Sequence, residues 1–81
     1  MARVIFSGEM RPHTGGVGEV SIEAARYRDL EAELKSRFPA LTDAVFDKCS
    51  VAIDGDIIAA PLLETLKPDS EVVYVSRISG G

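Results

Sequence analysis

Hydrophobic and polar positions alternate one by one towards both ends of this chain and recur at spacings of three and four in its middle. From Arg3 to Phe6, RVIF sets Val4 and Phe6 on one side of an extended segment and Arg3 and Ile5 on the other, the two-residue period of a strand. Pro12, Gly15, Gly16 and Gly18 then predict a long flexible turn. Beyond it EVSIEA alternates again, with Val20 and Ile22 sharing a side. These two runs predict an N-terminal hairpin.

The period changes in YRDLEAELKSRF. Tyr27, Leu30, Leu34 and Phe38 form one apolar stripe on a helix that starts near Arg26 and stops at about Phe38, because Pro39 follows. Glu31, Glu33, Lys35 and Arg37 fall off the stripe and are expected in solvent. LTDAVFDK, with Thr42 as a cap, predicts one further helical turn.

SVAIDGDIIA carries Asp54-Gly55, a two-residue hairpin signal between β-prone flanks, with Val51 and Ile53 towards the core. PLLETLKPDS is a turn-rich connection anchored by Leu66, and EVVYVS is the last strand. If Val72 and Tyr74 face the core, Val73 and Val75 face the other way, and Ile5 joins them wherever the first and last strands pair.

The predicted class is therefore α+β. One main crossing helix covers a mixed sheet of four to five strands, with the first and last strands central and parallel, which in a small domain is the β-grasp arrangement. The 81 residues suit a single domain. The expected division is a folded part over 1–76 and a flexible C-terminal Gly-Gly tail over 77–81.

Composition narrows the function. Hydrophobic residues make up 46% of the chain, enough for a small core without crosslinks or metal. The net charge of −4 argues against nucleic acid, which calls for clustered Lys and Arg. A lone cysteine, Cys49, cannot build a disulfide framework or a Cys-based zinc site, and a buried apolar role is expected for it. No leader and no apolar run of membrane-spanning length is present, so the expectation is a cytoplasmic protein with no membrane partner.

Other candidate chemistry is weak. His13 has no second His or Cys near it, and the Gly15-Gly16 pair lacks the spacing and trailing Lys of a phosphate loop. Arg11 and Arg77 could steer a tail, but surface arginine is the simpler expectation. Glu19, Glu23, Glu31, Glu33 and Glu64 are expected as solvated charge. Ser70 in PDSEV precedes a β-prone run rather than the helix an acyl carrier serine requires. No cofactor site and no metal site is expected.

The ends of the chain carry the specific signal. RVIFSGEMR at Arg3 to Arg11, AIDGDII at its hairpin and LKPDSEVVYVSRISGG at Leu66 to Gly81 resemble the ubiquitin-like sulfur carriers. The likeness is to the small subunit of molybdopterin synthase and its thiamine-pathway relatives. Many molybdopterin carriers have Pro-Pro where this chain has Ser76-Arg77, and often expose an apolar residue where it has Ser7.

The resemblance implies a co-substrate rather than an enzyme. An E1-like partner would use ATP to adenylate the carboxylate of Gly81, sulfur from a donor would displace AMP, and the thiocarboxylate would serve an acceptor enzyme such as a synthase large subunit. Gly80 and Gly81, lacking Cβ, fit the narrow channel such a reaction needs. Ile5, Val73, Val75, Arg77, Ile78 and Ser79 are the implied partner contacts. Two other readings share the pattern: a protein modifier joined to lysines through Gly81, and a non-catalytic β-grasp interaction module.

Overall fold

The computed structural model describes residues 1–77. The expected tail therefore lies, apart from Arg77, outside the described residues. Five strands and two α-helices follow one another as β1 (Ala2–Ile5), β2 (Glu19–Ile22), α1 (Tyr27–Arg37), α2 (Asp43–Asp47), β3 (Cys49–Ile53), β4 (Asp56–Ile58) and β5 (Glu71–Ser76). Short 3-10 turns occupy Arg11–His13 and Pro61–Leu63.

The strands form a single mixed sheet in the order β2-β1-β5-β3-β4. β1 and β5 run parallel in its interior, as the packing of one crossing helix on a mixed sheet predicts, and every other neighbour is antiparallel. A parallel pair needs a crossover, and α1 supplies it across one face. That face holds the core. Val4, Ile22, Val51, Ile53, Val72 and Tyr74 point from the sheet towards Tyr27, Leu30 and Leu34 of the helix, and all are buried. Fully burying an aliphatic side chain of this size contributes about 1.5–3 kcal/mol.

α1 begins one residue later than Arg26, which occupies the N-cap without a side-chain bond. It ends before Pro39, and the Phe38 N–H still donates to the Leu34 carbonyl at 2.8 Å. The Phe38 ring meets Phe6 edge-on, with centroids 5.7 Å apart. In α2, Thr42 sits at the N-cap but makes no side-chain cap bond; only its carbonyl contributes, accepting from Val45 and Phe46. Leu66 is buried as expected, and its N–H donates to the Ala25 carbonyl at 2.8 Å.

Two expectations are corrected. The segment after β1 is a closed loop rather than a flexible turn. The Arg11 carbonyl accepts from the Thr14 N–H, the Thr14 hydroxyl and the Gly16 N–H at 2.9–3.1 Å, while Met10 and Thr14 are buried beneath. Glu31 is not simply solvated charge: its side chain is only 17% exposed and pairs with Lys35 at 3.1 Å.

A polar clamp fixes the start of β5. Asp54 Oδ1 accepts the Glu71 N–H and Asp54 Oδ2 accepts the Ser70 hydroxyl, both at 2.9 Å. Ser70 Oγ in turn accepts the Lys67 N–H at 2.8 Å. Those N–H and O–H groups favour the ionised carboxylate, so Asp54 is held below the usual carboxylate range.

Candidate functional site

Among the described residues no helix covers the face of the sheet opposite the core, and the strand register shows what that face presents. Ile5 stands beside Val73, Val73 beside Ala52, and Ala52 beside Ile57, so one apolar row crosses β1, β5, β3 and β4. Val75, opposite Ser50, lies one step further towards the C-terminal end of β5. On the other side of the row sits a charged one, where Arg3 pairs with Glu71 and lies 3.8 Å from Glu19. The face is thus apolar near the end of β5 and ionic near its beginning.

Exposure along the row is graded. Ile5 and Val73 are half-buried, because neighbouring strands crowd them on both sides. Val75 is 38% exposed and Ile57 68%. An exposed apolar row of this kind is a candidate contact surface.

The chain stays tied to the sheet to the last described residue. Ser76 pairs with Cys49, and the Arg77 N–H donates to the Lys48 carbonyl at 3.0 Å. The side chain of Arg77 is exposed. Four of the residues singled out in the sequence, Ile78, Ser79, Gly80 and Gly81, lie outside the described residues. The other four, Ile5, Val73, Val75 and Arg77, are gathered at the end of β5, the three apolar ones on a single face.

Cys49 is buried, as expected, with Sγ 3.4 Å from Ser7 Oγ. Ser7, which stands where many molybdopterin carriers expose an apolar residue, is buried, because β1 ends at Ile5 and the turning chain draws both Phe6 and Ser7 inward. Arg11 packs its guanidinium against Gly18, where an added Cβ would sit 3.3 Å from Cζ. His13 is exposed at the end of the first 3-10 turn.

Two groups of surface residues were missed in the sequence. Ala52 and Ile57 extend the apolar row, and the Asp54-Gly55 turn could have revealed it, since a two-residue turn pairs 53 with 56 and therefore 52 with 57. Leu62 and Leu63 are also exposed, beside a groove lined by Ala32, Phe46, Pro61 and Arg77. No alternation marks them, because they fall in a 3-10 turn.

This architecture is the β-grasp, or ubiquitin-like, fold. No protein-family model and no curated protein matches the chain. Solved structures do. The small archaeal modifier protein 1 of Methanosarcina acetivorans superposes with a TM-score of 0.81 at 22% identity, over 99% of this chain and 95% of that one. A chain of the Amycolatopsis orientalis BexX/CysO complex gives 0.79 at 18% identity, with 100% of both chains covered. SAMP1 of Haloferax volcanii gives 0.72 at 22% identity, over 99% and 98%.

Proposed function

We propose that this chain is a ubiquitin-like sulfur carrier that accepts sulfur on the carboxylate of Gly81. The observation that carries the reading is the route of β5. This internal strand is pinned to the sheet as far as Arg77, and it carries Val73 and Val75 on the same apolar face as Ile5. A partner seated on that face also meets Arg77, the last described residue before the Gly-Gly sequence.

A carboxylate is a poor acceptor for a sulfur nucleophile, so it must first be activated. An E1-like enzyme transfers AMP from ATP to the Gly81 carboxylate and releases pyrophosphate. Hydrosulfide, or an equivalent carried by a donor, then attacks the carbonyl; AMP leaves with the bonding pair, and the thiocarboxylate remains. The acid, base and oxyanion donors for both steps belong to the partner. This chain contributes the carbonyl, two residues without Cβ beside it, and the docking face. It is a co-substrate, and ATP is bound by the activating enzyme.

Burial of Cys49 supports the same assignment, because a thiol held against Ser7 inside the fold is a poor site for carrying sulfur. The acceptor would be a synthase-type large subunit in cofactor or metabolite biosynthesis, with molybdopterin one candidate product. The test is the intact mass of the chain after incubation with ATP, the E1-like enzyme of the same organism and a sulfur source. One oxygen exchanged for sulfur at Gly81 is expected, in the parent and in Cys49→Ala alike. An unchanged mass, with the enzyme active on another carrier, rejects the reading.

A second reading has a specific motive: two of the structural neighbours are named as modifier proteins. Here Gly81 would be joined to a lysine of another protein after the same activation step. Higher-mass adducts in cell lysate that vanish on deletion of Gly81 would favour conjugation over sulfur transfer.

A further inference from the structure

β2 and β4 are the two free edges of the sheet, and they differ in kind. β2 carries Glu19, approached by Arg3, and is followed directly by Glu23. Charges of this kind discourage strand addition. β4 carries one charge, Asp56 at its start, and then runs into IIAAPLL, Ile57 to Leu63, without any. Within that run Ile57 is 68% exposed, Leu62 54% and Leu63 89%.

Hairpin geometry fixes what the backbone of this edge offers. Asp54 and Gly55 have φ of 50° and 90°, a two-residue turn, so Ile53 and Asp56 exchange the first pair of hydrogen bonds. The Asp54 N–H points the other way, to the Glu71 carbonyl at 2.9 Å, which agrees with that phase. Bonded and non-bonded pairs alternate along an antiparallel ladder. Ala52 and Ile57 are therefore a non-bonded pair, and both the N–H and the C=O of Ile57 point out from the sheet.

We propose that this edge joins two copies of the chain, with β4 pairing antiparallel to β4 about a two-fold axis through Ile57. A residue on such an axis exchanges both hydrogen bonds with its own copy, which is the self-complementarity a two-fold contact requires. The two Ile57 side chains meet on the open face and continue the row of Ile5, Val73, Ala52 and Ile57 into the second molecule. Asp56 comes opposite Ile58 of the copy rather than opposite Asp56. Two copies of net charge −4 repel each other, so the edge that bears a single charge, Asp56, is where a second copy approaches at least cost. A three-residue strand buries less than the roughly 800 Å² per partner of a stable dimer. The association is therefore weak and reversible.

Sedimentation velocity on the full chain, from micromolar to millimolar and at low and high salt, tests this. A monomer–dimer equilibrium is expected that strengthens as salt screens the net charge. Over the same range, amide shifts in NMR spectra should change only across residues 56–63. Ile57→Lys places like charges at the axis, and Ile57→Pro removes the outward N–H without breaking a bond inside the sheet. Each should keep the chain monomeric at the highest concentration with the circular dichroism of the parent. A parent chain that is monomeric at millimolar concentration overturns the proposal, as does a dimer that survives Ile57→Lys. Neither result bears on the mass test for sulfur at Gly81.

Discussion

The hydroxyls of Tyr27 on α1 and Tyr74 on β5 lie 2.7 Å apart in the interior, where helix meets sheet. Both rings are essentially inaccessible to solvent, so each hydroxyl needs a partner. Tyr74 has Tyr27 for this purpose, whereas Tyr27 also has the Glu31 carboxylate close by. The bond ties the crossing helix to the strand that carries the chain to Arg77.

The two phenylalanine variants should therefore be unequal. Tyr27→Phe strands the Tyr74 hydroxyl and is expected to cost about 1–3 kcal/mol, the penalty for a buried unsatisfied group. Tyr74→Phe leaves Tyr27 with Glu31 and is expected to cost about 0.5–1.5 kcal/mol, the worth of one ordinary hydrogen bond. The double variant should recover much of the loss. Urea unfolding of all four proteins closes the cycle, and strictly additive losses would mean the pair does not act as a unit.

The same pair predicts the alkaline limit of stability. Burial raises both phenol pKa values well above the ordinary 10.0, since a phenolate would be stripped of water there. A group raised in the folded state stabilises fully below its unfolded pKa and loses that contribution as pH climbs through the folded one. Tyr27 and Tyr74 are the only tyrosines of the chain, so phenolate absorbance reports on nothing else. Absorbance is expected to stay flat past the ordinary tyrosine range and then rise together with loss of circular dichroism. A gradual rise near pH 10, with secondary structure intact, would contradict the buried pair.

These relationships show what a one-dimensional pattern conveys. Alternation in EVVYVS assigned Val72 and Tyr74 to the core and Val73 and Val75 to the open face, and both assignments hold because a strand's faces are set by parity alone. Parity says nothing of Ser7, two residues past the end of β1, where the chain has already left the strand. It was silent on the loop 7–18, whose order comes from several donors converging on the single Arg11 carbonyl. Nor could it show the edge at Ile57, since exposure there depends on which strand lies outermost. Gly80 and Gly81, outside the described residues, stood out in the sequence by residue type rather than by packing.

Asp54 gives an acid limit to set beside the alkaline one. Its carboxylate accepts the Glu71 N–H and the Ser70 hydroxyl, which depress its pKa. A depressed acid contributes stability above its unfolded pKa and loses it as pH falls through the folded value. Asp54→Asn should keep one acceptor oxygen for the Glu71 N–H and the positive φ of 50°, which asparagine tolerates, while removing the charge. The expected result is a flatter loss of stability below about pH 4 than in the parent, the range of an ordinary aspartate. Asp54→Ala should be less stable than either at neutral pH, as it loses both bonds and sits in a strained conformation. Denaturant midpoints from pH 7 to pH 3 separate the three proteins, and identical acid limbs for parent and Asp54→Asn would refute the clamp as the source.

Val75 tests whether the open face docks the activating enzyme. It is 38% exposed, so Val75→Lys removes little buried contact, and the stability change should stay within about 1 kcal/mol, the span of strand propensities. A lysine there would force a charge into any apolar contact that covers Val73 and Ile5. The apparent KM for the carrier in the thiocarboxylation assay should then rise about tenfold, equivalent to about 1.4 kcal/mol of lost binding. Its kcat should hold, because the reacting carbonyl is untouched. Gly80→Ala should do the reverse, lowering kcat by adding a methyl group beside the reaction while leaving the docking face whole. If Val75→Lys leaves KM unchanged, the enzyme grasps the tail without using this face, and the row from Ile5 to Val75 serves some other partner.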